Sequence, residues 1–467
     1  MPSLFELSMH FFFQLAAILA MCRLVWFVFK RLGQVQAVGT MAAGFLLGPS
    51  VLGALWPDAQ EWLFPTTIEV GGQSVAHPSL SVIYVVGQLG LVLYMFLVGM
   101  SFKTEILTSH VRMAGAIAGA GVGVPLVLGG AAGLVLVSEG GYFTDKMDPW
   151  QAALFMAAAI AITAFPMLAS MIYDSGLHHT RLGTMSLAGA ASDDACSWLL
   201  LAAVVSSTAG SLDGAAVALV GGLGFVLFMF LVMKRLLVPL NAWADRELAA
   251  EAGTRLPIAP LTVMLLIALL SAWFTDLVGI YSVFGAFVAG MVMPRGRLLD
   301  AVRSGTEPLV SHLLLPAFFV FSGLNTELSL IFEPSVLLVA LLVLAISFAG
   351  KFGAVTLAAR SQGMSWREAG SMGTLANARG LMELILLNIG LAEGLITPAL
   401  YTILALMAFV TTFAATPIFR VFERNGLRHG LVFTANGEEA APAPASDPRP
   451  TPEPLLEPGR PVAATRP

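Results

Sequence analysis

Five charged residues fall well inside apolar stretches long enough to cross a lipid bilayer: Asp193, Asp194, Lys351, Arg379 and Glu383. A charge at the centre of a membrane helix costs about 2.5–3.5 kcal/mol even on the mild insertion scale, so five would cost on the order of 12–17 kcal/mol. That is comparable to the whole stability of a folded domain. Such groups must be paired, hydrated or used. Asp193 and Asp194 are adjacent in Ala-Ser-Asp-Asp-Ala-Cys-Ser-Trp. On a helix they point about 100° apart, so one can line a water-filled cavity while the other faces a partner helix. Two carboxylates this close resist joint ionisation, and a proton and an alkali cation can then compete for the same oxygens. The alternative is a pair of structural polar residues satisfied by serines and backbone.

Lys351 sits in Ala-Gly-Lys-Phe-Gly-Ala, about 10 Å from its helix end. It either snorkels to the headgroups or pairs with an aspartate, Asp193 being the expected partner. Arg379 and Glu383 are spaced i,i+4 in Asn-Ala-Arg-Gly-Leu-Met-Glu, which suits an intrahelical ion pair. Asn377 and Gly380 argue for a local helix break at the same place. Thr163-Ala-Phe165-Pro166 is the matching irregular spot, where Pro166 removes a backbone donor and frees a carbonyl one turn earlier. Two interrupted helices in corresponding positions of two halves are the sequence mark of a transport site. Ser192 and Ser197 either add oxygens to a cation site or bond their own helix backbone. His178 and His179 follow in a loop, as a pH-sensing pair or as ordinary loop residues. Trp198 reads as packing.

The elements that carry these residues are membrane helices. Of the 467 residues, 57% are hydrophobic and only 11% charged, and the net charge is -5. Mean hydropathy is +0.84. Soluble chains have roughly 25% charged residues. A soluble enzyme, a disordered chain and a nucleic-acid binder are therefore excluded. Thirteen spanning segments are expected: 9–29, 34–56, 81–100, 113–137, 150–173, 182–207, 212–233, 257–275, 278–294, 310–331, 335–358, 367–391 and 397–420. With the N-terminus outside, Lys and Arg collect in alternate loops, from Lys30 and Arg31 through Arg360 and Arg367. The opposite loops hold Lys146 alone among basic residues, with acids such as Asp58, Glu139, Asp148 and Asp276. This places the C-terminus in the cytoplasm. Six helices, a linker helix and six more imply two halves of opposite orientation. Residues 1–433 form the membrane domain. Residues 434–467, rich in Pro, Ala and acids, read as a disordered cytoplasmic tail. Cys22 and Cys196 give neither a disulfide framework nor a metal-ligand spacing.

Several motifs together resemble a known family. They are Arg31-Leu-Gly-Gln, Gly44-Phe-Leu-Leu-Gly-Pro-Ser-Val-Leu-Gly, Leu93-Tyr-Met-Phe-Leu-Val-Gly and Ile162-Thr-Ala-Phe-Pro-Met-Leu-Ala. Asp193-Asp194 with Trp198-Leu-Leu-Leu-Ala follows, and Asn377-Ala-Arg-Gly-Leu-Met-Glu-Leu-Ile-Leu-Leu-Asn-Ile-Gly completes the set. The chain is similar, from about residue 12 to 420, to Kef-type and plant CHX-type exchangers of the second monovalent cation:proton antiporter family. The resemblance implies an all-α sodium/proton antiporter fold of inverted repeats, with dimerisation and core subdomains. It implies crossed helices interrupted around Thr163–Pro166 and Asn377–Glu383. Asp194 matches the cation- and proton-binding carboxylate, and Asp193 the carboxylate that pairs with Lys351. A double aspartate with that lysine goes with electrogenic exchange. Ser101 and Lys103 replace acids usual after the third helix, and Ala378 replaces a threonine.

The expected protein is a multi-pass, homodimeric antiporter of the inner (plasma) membrane. It exchanges Na+ or K+ for H+ by alternating access, with Asp194, Asp193 and Thr163 at the ion and Lys351, Arg379 and Glu383 compensating charge. No cofactor, no resident metal, no nucleic acid and no Kef nucleotide-binding domain are expected in this chain. An organic-anion symporter on a related fold and a channel-like K+ efflux protein are the alternatives. A membrane enzyme would need a nucleophile–base or metal constellation, and the sequence offers none. A non-transporting sensor would need an output domain.

Overall fold

The computed structural model describes residues 3–70, 73–101, 111–177, 180–208, 212–250 and 258–424, and the strands Val432–Phe433 and Glu439–Ala440. His178, His179 and the tail, apart from Glu439–Ala440, lie outside the described residues. The side chains of Lys103, Asp194 and Trp198 do so too.

Each expected segment coincides with a helix or with two half-helices. In chain order they are α1 Leu4–Arg31, α2 Gln36–Leu47, α3 Pro78–Ser101, α4 Val111–Glu139, α5a Pro149–Ala161 and α5b Phe165–Asp174. Then come α6 Arg181–Thr208, α7 Leu212–Phe228, α8 Ile258–Leu277, α9 Ser282–Val292 and α10 Arg297–Leu324. α11 Pro334–Ser361, α12a Trp366–Leu375, α12b Leu381–Ala392 and α13 Pro398–Arg424 complete the series. Among the described residues nine helices are long and apolar enough to cross a membrane, or ten if the bent pair Val220–Leu236 with Val238–Ala244, which continues α7, is one span. α9 and α12b are too short on their own. α2 stops at Leu47, before the 56 expected, because Gly48-Pro49 ends it. α10 starts at Arg297, well before 310, with a π-turn at Val310–Leu314. An unforeseen hairpin, Thr67–Val70 with Gln73–Ala76, precedes α3.

Local signals explain the helix starts nearest the site. Asp148 and Gln151 form a capping box with Pro149 in the first turn of α5a. Ser365 and Glu368 form another at α12a. Pro166 lies in the first turn of α5b, where a missing N–H costs nothing. It is thus the start of a new half-helix, not a kink in a continuous one.

Packing sorts the helices into two groups. α4, α5, α6, α11, α12 and α13 pack on one another, as do α1, α2, α3, α8, α9 and α10. Each group takes helices from matching positions of the two halves, seven apart, as inverted repeats require. α5 and α12, the two broken helices, are such a pair. The first group is called the core here and the second the scaffold. α4 approaches α5a through glycines. A Cβ on Gly133 would stand 2.7 Å from the Ala152 carbonyl oxygen, and one on Gly129 2.6 Å from that of Met156. This is the close small-residue packing that membrane helices favour.

Core and scaffold touch through α2 and α13, with Phe45 against Phe409. A buried cluster also bridges them. Asn388 of α12b donates to Ser322 Oγ of α10 at 2.7 Å, and the Tyr401 hydroxyl of α13 lies 2.9 Å from Ser322 O and 3.0 Å from Asn388 Oδ1. Gly133→Leu drives a side chain into the α5a backbone and is expected to cost about 1–3 kcal/mol. Gly123→Leu on the same helix, where nothing lies within 4 Å, should leave stability nearly unchanged. Thermal unfolding in detergent, followed by size-exclusion recovery, separates the two.

Candidate functional site

A helix that ends inside a membrane protein leaves carbonyl oxygens that no water can satisfy. α5a ends this way at Ala161. Its orphan oxygens are met by side chains from two other helices. Arg379, fully buried, donates NH1 to Ala159 O at 2.7 Å and NH2 to Ile160 O. Lys351, also fully buried, donates Nζ to Ala161 O. Two cations thus sit at the negative end of the α5a dipole.

The anions follow from the cations. Lys351 Nζ lies 2.9 Å from Asp193 Oδ2 on α6, so the lysine pairs and does not snorkel. Arg379 NH1 lies 3.5 Å from Glu383 Oε2, at ion-pair range without a hydrogen bond. The i,i+4 spacing of this pair suggested a continuous helix, but a break lies between the partners. Gly380 takes φ +146°, open only to glycine, and starts α12b. Glu383 falls in the first turn of α12b, at the positive end of that dipole. The Arg379 main chain is held by Thr412 of α13, whose Oγ1 accepts the Arg379 N–H at 2.8 Å.

The two breaks cross. Ala164 N donates to Ala378 O at 2.9 Å, and Thr163 Oγ1 donates to Ala376 O at 3.1 Å. Asn377 Nδ2 returns to Gly373 O at 2.9 Å and caps α12a. Ser192 and Ser197 bond the carbonyls of Ala188 and Asp193 on their own helix, so their hydroxyl protons are spent on backbone. The structure therefore brings together Asp193, Thr163, Lys351, Arg379 and Glu383, with Phe165, Pro166, Asn377 and Gly380 shaping the crossing. Asp194 is on α6 beside Asp193, with its side chain outside the described residues. Sequence reasoning missed the three α5a carbonyls, which have no side-chain signature. It also missed Thr412 and Tyr401, whose signal was a polar group in an apolar helix.

A cavity of about 930 Å³ opens between core and scaffold. Phe165 and Pro166 of α5b line it on one side and Gln36, Tyr94 and Glu307 of the scaffold on the other. It lies at the end of the molecule that carries Arg295 and Arg303. His312, in the π-turn of α10, meets the Gln36 amide there at 2.7 Å.

Residues 16–423 match the model of the transmembrane sodium/hydrogen exchanger family. The chain belongs to that family. It is 35% identical over 404 residues to the Na+/H+ antiporter NhaS4 of Synechocystis, covering 86% of this chain and 94% of that one. It is 29% identical to K+/H+ antiporter 1 of Saccharomyces cerevisiae over 92% of this chain, and 32% identical to cation/H+ antiporter 20 of Arabidopsis thaliana over 86%. The chain spans 49% and 47% of the lengths of those two. The sodium proton antiporter MjNhaP1 of Methanocaldococcus jannaschii shares the fold, with a TM-score of 0.56 at 14% identity, over 89% of this chain and 97% of that one. The chain is thus a multi-pass membrane protein of the exchanger fold.

Removing Arg379 strands two carbonyls and the buried Glu383, and truncating one partner of a buried pair costs about 3–5 kcal/mol. Arg379→Ala is therefore expected to lower the melting temperature sharply, while Thr163→Val, which loses one hydrogen bond, costs about 1 kcal/mol. Detergent melting curves of the two variants give the comparison.

Proposed function

We propose that this protein exchanges a monovalent cation, Na+ or K+, for protons by alternating access. One observation carries the reading. The buried charges of Asp193, Lys351, Arg379 and Glu383 cancel in two pairs. Asp194, next in the chain to Asp193, is then the carboxylate in excess. Its charge needs either a proton or a cation, one at a time, and that is the arithmetic of exchange. The cation/proton antiporter names of the relatives support the same reading.

In this proposal Asp194 carries the cation or the proton, with Thr163 and the crossing backbone nearby. Lys351 and Asp193 form a pair that protonation breaks, which allows more than one proton per cation and hence electrogenic exchange. The basic loops support a cytoplasmic position for the large cavity, with the N-terminus outside and the C-terminus inside. The state described is then open inward. Residence in the inner (plasma) membrane and assembly as a homodimer belong to the same proposal.

The test is cation-induced proton movement in everted vesicles from cells lacking their own antiporters. Na+ or K+ should collapse an imposed pH gradient in wild type and leave it intact in Asp194→Asn. Lys351→Ala should retain exchange with weaker dependence on membrane voltage. Asp194→Asn transporting as well as wild type would sink the proposal.

A further inference from the structure

Asp193 has one oxygen on Lys351 and, among the described residues, the other on nothing. Its Oδ1 is buried without a hydrogen-bond partner, although the residue is only 5% exposed. Two turns earlier on α6, the Ser186 hydroxyl is in the same condition, at 3% exposure. Residues seven apart lie on one helix face. Beside them is a void of about 30 Å³, lined by Ser186, Ala190 and Asp193 of α6, Gly121 of α4, and Thr163 and Ala376 from the two breaks. A water needs roughly 10–15 Å³ of such space and two to four polar partners. A buried polar atom left bare costs about 1–3 kcal/mol, so two bare oxygens on one water-sized void call for an occupant. The void and the large cavity share no lining residue. It lies wholly within the core, and Ser186 leads from Asp193 towards the start of α6.

We propose that this void is a water site that delivers protons to Asp193 along α6, apart from the cavity that admits the cation, with Ser186 as its positioning residue. A hydronium at the site gives one proton to Asp193 Oδ1 and remains as water. The carboxylate loses its charge and the ion pair with Lys351 is lost with it. Among the described side chains, the charged and titratable groups around the Asp193–Lys351 pair are Arg379 and Glu383 from the α12 break and Cys196 on α6; Asp194 adjoins Asp193 in the chain. Among the described residues neither α4 nor α5 contributes a charged residue to the lining. The two serines nearest Asp193 cannot replace Ser186, since both bond backbone.

This inference rests on the exchange reading, and one experiment distinguishes their failures. Initial exchange rates are measured in proteoliposomes against Na+, against K+ and against pH. The proteins are wild type, Ser186→Ala, Ser186→Thr and the void-filling Ala190→Leu, each normalised to monodisperse protein. Ser186→Ala and Ala190→Leu should lower the maximal rate about tenfold, most at alkaline pH where protons are scarce. The apparent KM for the cation should stay unchanged, and Ser186→Thr should regain most of the rate. If Ala190→Leu does not fold, Ser186→Ala, which removes a single oxygen, decides alone. Wild-type rates in Ser186→Ala overturn the proposal. A raised cation KM at an unchanged maximal rate overturns it too, because the void then serves the cation. If wild type exchanges neither cation for protons, the exchange reading falls and this inference falls with it.

Discussion

Three successive carbonyl oxygens at the end of α5a, those of Ala159, Ile160 and Ala161, set the terms for everything around them. In water they would cost nothing. Inside a membrane protein each needs a donor, and neutral donors were one option. Here the donors are a guanidinium and an ammonium, which suit the negative end of the helix dipole. Each cation then requires an anion, which Asp193 and Glu383 provide. A broken helix thus leads by successive requirements to four buried charges from three other segments. A buried pair is seldom more stable than well-packed apolar residues of equal volume, so its presence argues for use more than for strength.

The core and the scaffold meet in two different ways. On the side of Arg295 and Arg303 a wide cavity separates α5b from α2, α3 and α10. Elsewhere the contact is buried and specific, through Phe45 on Phe409 and the Ser322, Asn388 and Tyr401 cluster. Hydrogen bonds that form only in the right register let such a seam close in one way. The crossing of the breaks, by contrast, lies entirely within the core, where Thr163 and Ala164 bond Ala376 and Ala378.

Much of this was legible in the residues. Long apolar runs located a helix or a pair of half-helices at each of the thirteen segments, and nine or ten helices among the described residues are long and apolar enough to cross a membrane. The cost of isolated charges left Lys351 either snorkelling or pairing with Asp193, and the structure has the pair. The irregular spots at Thr163–Pro166 and Asn377–Gly380 were visible through Pro and Gly. Other features were not visible. Backbone carbonyls carry no letter, so the hydrogen-bond targets of Arg379 could not be read, although its i,i+4 ion pair with Glu383 could. The start of α10 at Arg297 was hidden because its first turns are polar and lie outside any hydropathy window. Pro166 announced a break but not its kind, since the same residue kinks a helix or begins one.

The clasp on the α5a carbonyls also decides where this molecule can bend. Arg379 and Lys351 hold one helix end from two others, and Lys351 holds α6 through Asp193. Sliding any of these helices alone would strip charged donors from their acceptors. Stiffness is therefore concentrated at the charges and compliance at the seam beside the large cavity. Under the proposed exchange, a site carried whole across such a seam would offer the same oxygens to either face of the membrane. It would then have no built-in direction: concentrations and voltage decide which way ions go, and the protein only sets how fast.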